Sequence, residues 1–175
     1  MTAIVRKGRF SRRLSIAILV FAPLAVLPTG CKLFHRERMQ SVVNTRDPHI
    51  VGQLLDGFYG VEAGAWRWTA KQFSVKLKTP AGAAQKGATL RVVLTVPPQV
   101  IDKSGPITLS GRVGGVSLAP ETYSAPGAYV YQRQVPAAEL SKADVTIAFS
   151  LDKSMVPGGP DLRDLGIVVT TLSLE

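Results

Sequence analysis

The chain has 175 residues, 46% of them apolar and 19% charged, which is enough to build one core and too apolar for a disordered polymer. Its formal charge of +9 invites a nucleic-acid partner, but Arg6, Lys7, Arg9, Arg12 and Arg13 precede any acid, while from His49 onward twelve Lys/Arg face ten Asp/Glu, so no basic stripe is left for the folded part. The lone cysteine, Cys31, rules out an internal disulfide, and the two histidines, His35 and His49, sit too near the N-terminus to furnish a histidine-based catalytic or metal site in the remainder.

The first segment has three parts. Five cations lie within residues 1–13, Leu14 to Leu27 form an apolar run broken by Pro23, and Pro28, Thr29 and Gly30 lead to Cys31. A basic start stays on the cytoplasmic side while the apolar run enters the translocation machinery. As a helix the run spans about 21 Å, short of a hydrocarbon core of about 30 Å, so it reads as a signal peptide over 1–30 rather than a permanent span. The small residues before Cys31 resemble the lipobox of bacterial lipoproteins, with Pro28 in the usual leucine position and Leu27 one place early. That resemblance implies cleavage before Cys31, a diacylglyceryl group on its sulfur and an acyl chain such as palmitate on the new amino group. Two or three chains hold a membrane firmly. Lys32, where aspartate would signal inner-membrane retention, points to the outer membrane of a Gram-negative envelope, with the domain facing the periplasm or the surface. Residues 31–48 carry charges and Asn-Thr and Asp-Pro pairs with little periodicity, and are expected to be the lipidated cysteine and a flexible tether spanning about 20–25 Å.

From residue 49 to 175 the pattern predicts one domain. His49–Leu55 and Ala137–Lys142 are the only helical candidates, both short. Period-two alternation marks strands at Phe73/Val75/Leu77, through Ala88–Val96, at Ile107/Leu109/Gly111/Val113, at Tyr129/Tyr131 and at Val145/Ile147/Phe149/Leu151. Leu165–Leu174 is apolar enough for a central strand. Pro- and Gly-rich turns separate them at 79–82, 97–98, 104–106, 114–115, 125–127 and 157–160. Seven or eight such strands predict an all-β fold, an antiparallel, jelly-roll-like β-sandwich.

Two distant blocks hold the candidate ligand-binding residues: Tyr59, Glu62, Trp66 and Arg67 early, and Asp161 and Arg163 late. With Gly57, Trp68, Thr69, Lys71, Leu165 and Gly166 they follow the pattern G-x-Y-x-x-E, R-W-T-x-K and D-x-R-x-L-G. This resembles a β-sandwich module of bacterial envelope proteins and of the ends of some glycosyltransferases, related in shape to carbohydrate-binding modules. The resemblance covers about 55–175 and implies neither a known ligand nor established site residues. Read physically, aromatic faces stack on sugar rings and Glu, Asp and Arg bond to hydroxyls, whereas the same residues can equally be core and paired charges. Trp66 is expected to face the side opposite Trp68 and to be the exposed contact. The two blocks are expected to be neighbours, with Arg163 or Arg67 bonded to Glu62, Asp161 or Asp164. No nucleophile with a base and no metal-ligand set emerges, so the expectation is a non-catalytic domain without cofactor, binding a glycan or cell-envelope polysaccharide, or else an envelope protein through a sheet face or edge.

Overall fold

The computed structural model describes residues 38–50, 52–158 and 160–175. Cys31, the expected signal peptide and the first part of the expected tether lie outside them. Among the described residues nine strands pair antiparallel throughout: β1 (Val42–Asn44), β2 (Leu54–Glu62), β3 (Trp66–Lys78), β4 (Ala88–Val96), β5 (Ile107–Val113), β6 (Val116–Tyr123), β7 (Gly127–Val135), β8 (Asp144–Leu151) and β9 (Val168–Leu174). No described helix is long and apolar enough to cross a membrane.

β3 makes the sandwich possible because it is thirteen residues long. Its second half, Gln72–Lys78, pairs with β8 in the layer β6-β5-β8-β3-β2. Its first residues, Arg67 and Trp68, pair instead with Val169 and Val168 of β9, in the layer that continues through β4 to β7. β1 extends the same side of β9, with Val42 opposite Ser173 and Asn44 opposite Thr171. The inner faces carry the alternating apolar residues foreseen in the sequence, including Phe73, Val75 and Leu77 of β3 and Val92, Tyr131, Ile147 and Leu172 from the facing strands. Phe73 and Phe149 stack at 4.8 Å between ring centroids, and Tyr131 meets Phe149 edge-on. Each such side chain contributes roughly 1.5–3 kcal/mol on burial.

The outer strands of the two layers, β6 and β7, are joined by side chains. Tyr131 Oη donates to the Ala119 carbonyl at 2.9 Å, and Arg133 donates to the Ala119 and Pro120 carbonyls while pairing with Glu121 at 2.9 Å. Its guanidinium also lies 4.3 Å above the Tyr131 ring. Arg133 thereby closes an edge that would otherwise be open to strand addition.

Several elements differ from the sequence expectation. The stretch 42–45, assigned to the tether, belongs to the domain: Val43 and Thr45 are fully buried, and Thr45 Oγ1 donates to the Val169 carbonyl at 2.7 Å. Gln40 exchanges bonds with the Gln53 side chain, which ties the same stretch to the approach to β2. His49–Leu55 is not a helix but one 3₁₀ turn, Pro48–Ile50, before β2 begins at Leu54. Ala137–Lys142 shortens to the 3₁₀ turn Ala137–Leu140. A helix not foreseen, α1 (Pro98–Ser104), starts on Pro98, whose fixed φ and missing N–H suit a first helical turn. The final strand starts at Val168, later than Leu165, because Thr69 claims the preceding backbone: Gly166 N–H donates to the Thr69 carbonyl at 2.7 Å and Ile167 N–H to its Oγ1 at 3.2 Å.

Candidate functional site

The two blocks singled out in the sequence do meet. β2 and β3 form a hairpin whose turn puts Ala63 and Gly64 at positive φ, 48° and 64°, and brings Glu62 opposite Trp66. The segment between β8 and β9 folds back through pairings of Met155 with Leu165 and Gly158 with Asp161. Arg163 projects from it onto the hairpin. Its Nη1 donates to Glu62 Oε1 at 2.6 Å, while Nε and Nη2 grip the Asp161 carboxylate at 3.0 and 2.9 Å. The guanidinium lies 5.2 Å from the centre of the Tyr59 ring, and Tyr59 Oη donates to the Asp164 carbonyl at 3.0 Å. Hydrogen bonds from the Arg163 side chain, and then from its backbone N–H, hold the Asp161 carboxyl down at about 2 from 3.8.

The remaining two candidates behave differently. Among the described residues Arg67 bonds to no carboxylate but donates to the Thr45 carbonyl at 2.6 Å and the Tyr59 carbonyl at 2.8 Å, so it buttresses β1 and β2. Trp66 does not face away from Trp68, since residues two apart on a strand project to the same side, and both indoles pack on the core. The cluster of Tyr59, Glu62, Asp161 and Arg163 is thus real, but its donors and acceptors are largely spent on one another. It fastens the segment before β9 to the β2–β3 hairpin. Among the described residues no three His, Cys, Asp or Glu side chains group at metal-binding spacing.

A hollow of about 550 Å³ lies elsewhere, on the outer face of the β6-β5-β8-β3-β2 layer. Strand register builds its floor in two rows. Ser110, Ser150 and Gln72 form one; Arg112, Ala148, Ser74 and Asp56 form the next. Ser117, Leu118 and Pro120 of β6 line one side. Asp56 reaches the row because β2 presses on β3 at Gly57, whose φ is +71° and where a Cβ would lie 1.9 Å from the Gln72 carbonyl oxygen. Several polar groups here are unspent. Ser74 Oγ leans on Asp56 Oδ2 at 3.4 Å and Arg112 Nε on the Gly114 carbonyl at 3.1 Å, but the hydroxyls of Ser110, Ser117 and Ser150 and the Gln72 amide take no partner among the described residues. None of these residues stood out in the sequence. The available signal is the concentration of Ser and Ala at outward positions of three neighbouring strands.

No family model matches the chain, and no curated protein matches it in sequence. Solved structures with a similar outline include carbohydrate-binding module CBM36 in complex with calcium and xylotriose, at 10% identity over 77% of this chain and 98% of that one, TM-score 0.41. Another is the CBM36-1 domain of a multidomain xylanase from the hindgut metagenome of Trinervitermes trinervoides, at 10% identity over 75% and 94%, TM-score 0.40. A third is a latent aurone synthase, a polyphenol oxidase, at 10% identity over 71% of this chain and 28% of that one, TM-score 0.42. None of these likenesses assigns a ligand to this chain.

Proposed function

We propose that the protein is an exported lipoprotein, anchored in the cell envelope through acylated Cys31, whose β-sandwich binds a glycan without catalysis in the outer-face groove. The observation that carries the binding reading is the contrast between two polar regions. The Arg163 cluster is largely satisfied internally, whereas the groove presents the unspent hydroxyls of Ser110, Ser117 and Ser150 and the Gln72 amide, beside a carboxylate and a guanidinium each with one internal partner. Sugar hydroxyls both donate and accept, which Ser and Gln match in kind, Asp56 as acceptor and Arg112 as donor. Ala148 and Pro120 supply apolar contact for ring C–H groups, and the low floor admits a ring lying flat on the sheet.

A glycan array probed with the purified protein tests this. The wild type binds at least one glycan class. Ser150→Trp, which fills the groove from an outward position, lowers that binding at least tenfold, and Trp66→Ala leaves it unchanged. Binding indifferent to Ser150→Trp but lost in Trp66→Ala would return the site to the hairpin. An accessory role toward another envelope protein is favoured by one feature, the exposed cross-strand pair Val93 and Val130 with Val42 on the outer face of the other layer. Charge at Val93 leaves glycan binding intact and abolishes only that association.

A further inference from the structure

A second hollow, of about 440 Å³, lies at the end of the sandwich where the described chain begins. Gln40 marks that end. Its carbonyl accepts from Lys78 N–H at 3.0 Å, and the Gln53 amide that bonds to it also donates to the Lys76 carbonyl at 2.8 Å. Lys76 lines the hollow from β3 and Thr146 from the paired position of β8, while Ser141, Lys142 and Asp144 follow the 3₁₀ turn that carries Glu139. Gly114, at φ +53°, leaves room for the Glu139 carboxylate: a Cβ there would lie 1.9 Å from Oε2, and the same oxygen accepts from Gly115 N–H at 3.4 Å. Lys76 and Lys142 thus share one hollow with Glu139 and Asp144, beside the hydroxyls of Ser141 and Thr146, and none of these four charges is in an ion pair among the described residues. The cations and acids balance, so the hollow selects neither an anion nor a cation. What it matches is a ligand that carries a charge of each sign.

We infer that this hollow takes a zwitterionic phosphoethanolamine group, with its phosphate at Lys76, Lys142 and the two hydroxyls and its ammonium at Glu139 and Asp144. Lysines and hydroxyls donate to phosphate oxygens, and a primary ammonium offers three N–H donors to the two carboxylates. A choline group has no N–H to donate and is held by aromatic faces, of which the hollow has none. The membrane offers one source of such a group. Arg38 is seven positions beyond Cys31, a reach of at most about 25 Å at full extension, so acylation of Cys31 would hold this end of the sandwich near the headgroups. That placement rests on the anchor proposed above, whereas the chemistry of the hollow does not. A headgroup bound here fixes how the domain stands on the bilayer and sets the groove further out, Ser150 lying about 13 Å along β8 from Thr146.

Titration calorimetry of the full chain with glycerophosphoethanolamine, glycerophosphocholine and glycerophosphoglycerol tests the chemistry. The ethanolamine ester binds at least tenfold tighter than the other two. Glu139→Gln, Lys142→Ala and Thr146→Trp each lower that binding at least tenfold, with unchanged melting temperature as the folding control. Ser150→Trp, which fills the neighbouring groove, leaves it unchanged. Equal binding of the three esters, or no binding of the ethanolamine ester, overturns the inference whatever the glycan array shows. A second arm identifies the source. The acylated chain is placed in vesicles of phosphatidylethanolamine or phosphatidylcholine, each with the same fraction of phosphatidylglycerol. Amide hydrogen exchange over residues 114–115 and 141–146 is slower in the phosphatidylethanolamine vesicles. Equal exchange in the two, with the free ester still bound, overturns the membrane as the source and leaves a soluble ethanolamine phosphate as the ligand.

Discussion

Replacing Gly57 by alanine tests whether the β2–β3 contact builds the groove. At φ +71° an L-residue with a Cβ is disfavoured by about 1–2 kcal/mol. The added carbon would also fall 1.9 Å from the Gln72 carbonyl oxygen and 2.7 Å from the Phe73 Cα. Those are backbone atoms in the middle of a paired strand, so relief requires β2 to lift off β3. Overpacking of that kind costs about a further 1–3 kcal/mol, giving a total of about 2–5 kcal/mol. For a domain of this size that is a fall in Tm of roughly 5–15 °C. Gly60 serves as the internal control, being in the same strand with no atom within 4 Å of a Cβ. Urea unfolding followed by far-ultraviolet circular dichroism should separate Gly57→Ala from wild type by these amounts and leave Gly60→Ala within about 0.5 kcal/mol. Because Asp56 precedes Gly57, glycan affinity should also fall at temperatures where the variant is still folded. Equal stability of the two alanine variants would refute the close-approach argument.

Three further outcomes are expected. Asp161 has a depressed pKa, so the stability it contributes is complete above about pH 4 and is lost as the pH falls toward about 2; Asp161→Asn should flatten the pH dependence of the urea midpoint across that window, and parallel wild-type and variant curves would remove Asp161 from the account. A chain beginning at residue 49 lacks β1, and it should melt well below one beginning at residue 38, with Val43 alone contributing about 1.5–3 kcal/mol; indistinguishable melts would mean that β1 is dispensable. Cys31→Ser should abolish incorporation of labelled palmitate, and equal labelling of variant and wild type would overturn the lipoprotein reading.

The strands that were legible are those whose outer face is plainly polar. In Phe73–Leu77 and Val145–Leu151 every second residue enters the core, so a period of two survives in the sequence. β6 escaped because Pro120 interrupts it and only Leu118 and Tyr123 are buried, and β1 escaped because three residues cannot show a period. The meeting of Glu62 with Arg163 was legible from block spacing, at a separation of 101 positions. What those residues do was not, since mutual satisfaction is a matter of ångströms. The groove was illegible for the opposite reason. Ser110, Ser150, Gln72 and Ser74 occupy the positions that alternation assigns to solvent, and only the cross-strand register and the kink at Gly57 make that face concave.

The position of β9 has a consequence for how the chain comes into being. This strand comes late in the sequence yet stands between β4 on one side and β3 and β1 on the other. Thr45 finds its buried partner 124 residues away. Until Val168–Leu174 have emerged, β1, β4 and the first half of β3 have no common neighbour, and the layer they form cannot close. Pairings this distant are slow, because loop closure precedes any reward. A polypeptide threaded N-terminus first through a membrane pore must stay unfolded until most of it has passed. Under the proposed export, an architecture whose central strand follows its neighbours in the sequence keeps those earlier segments in that threadable state until it too has passed.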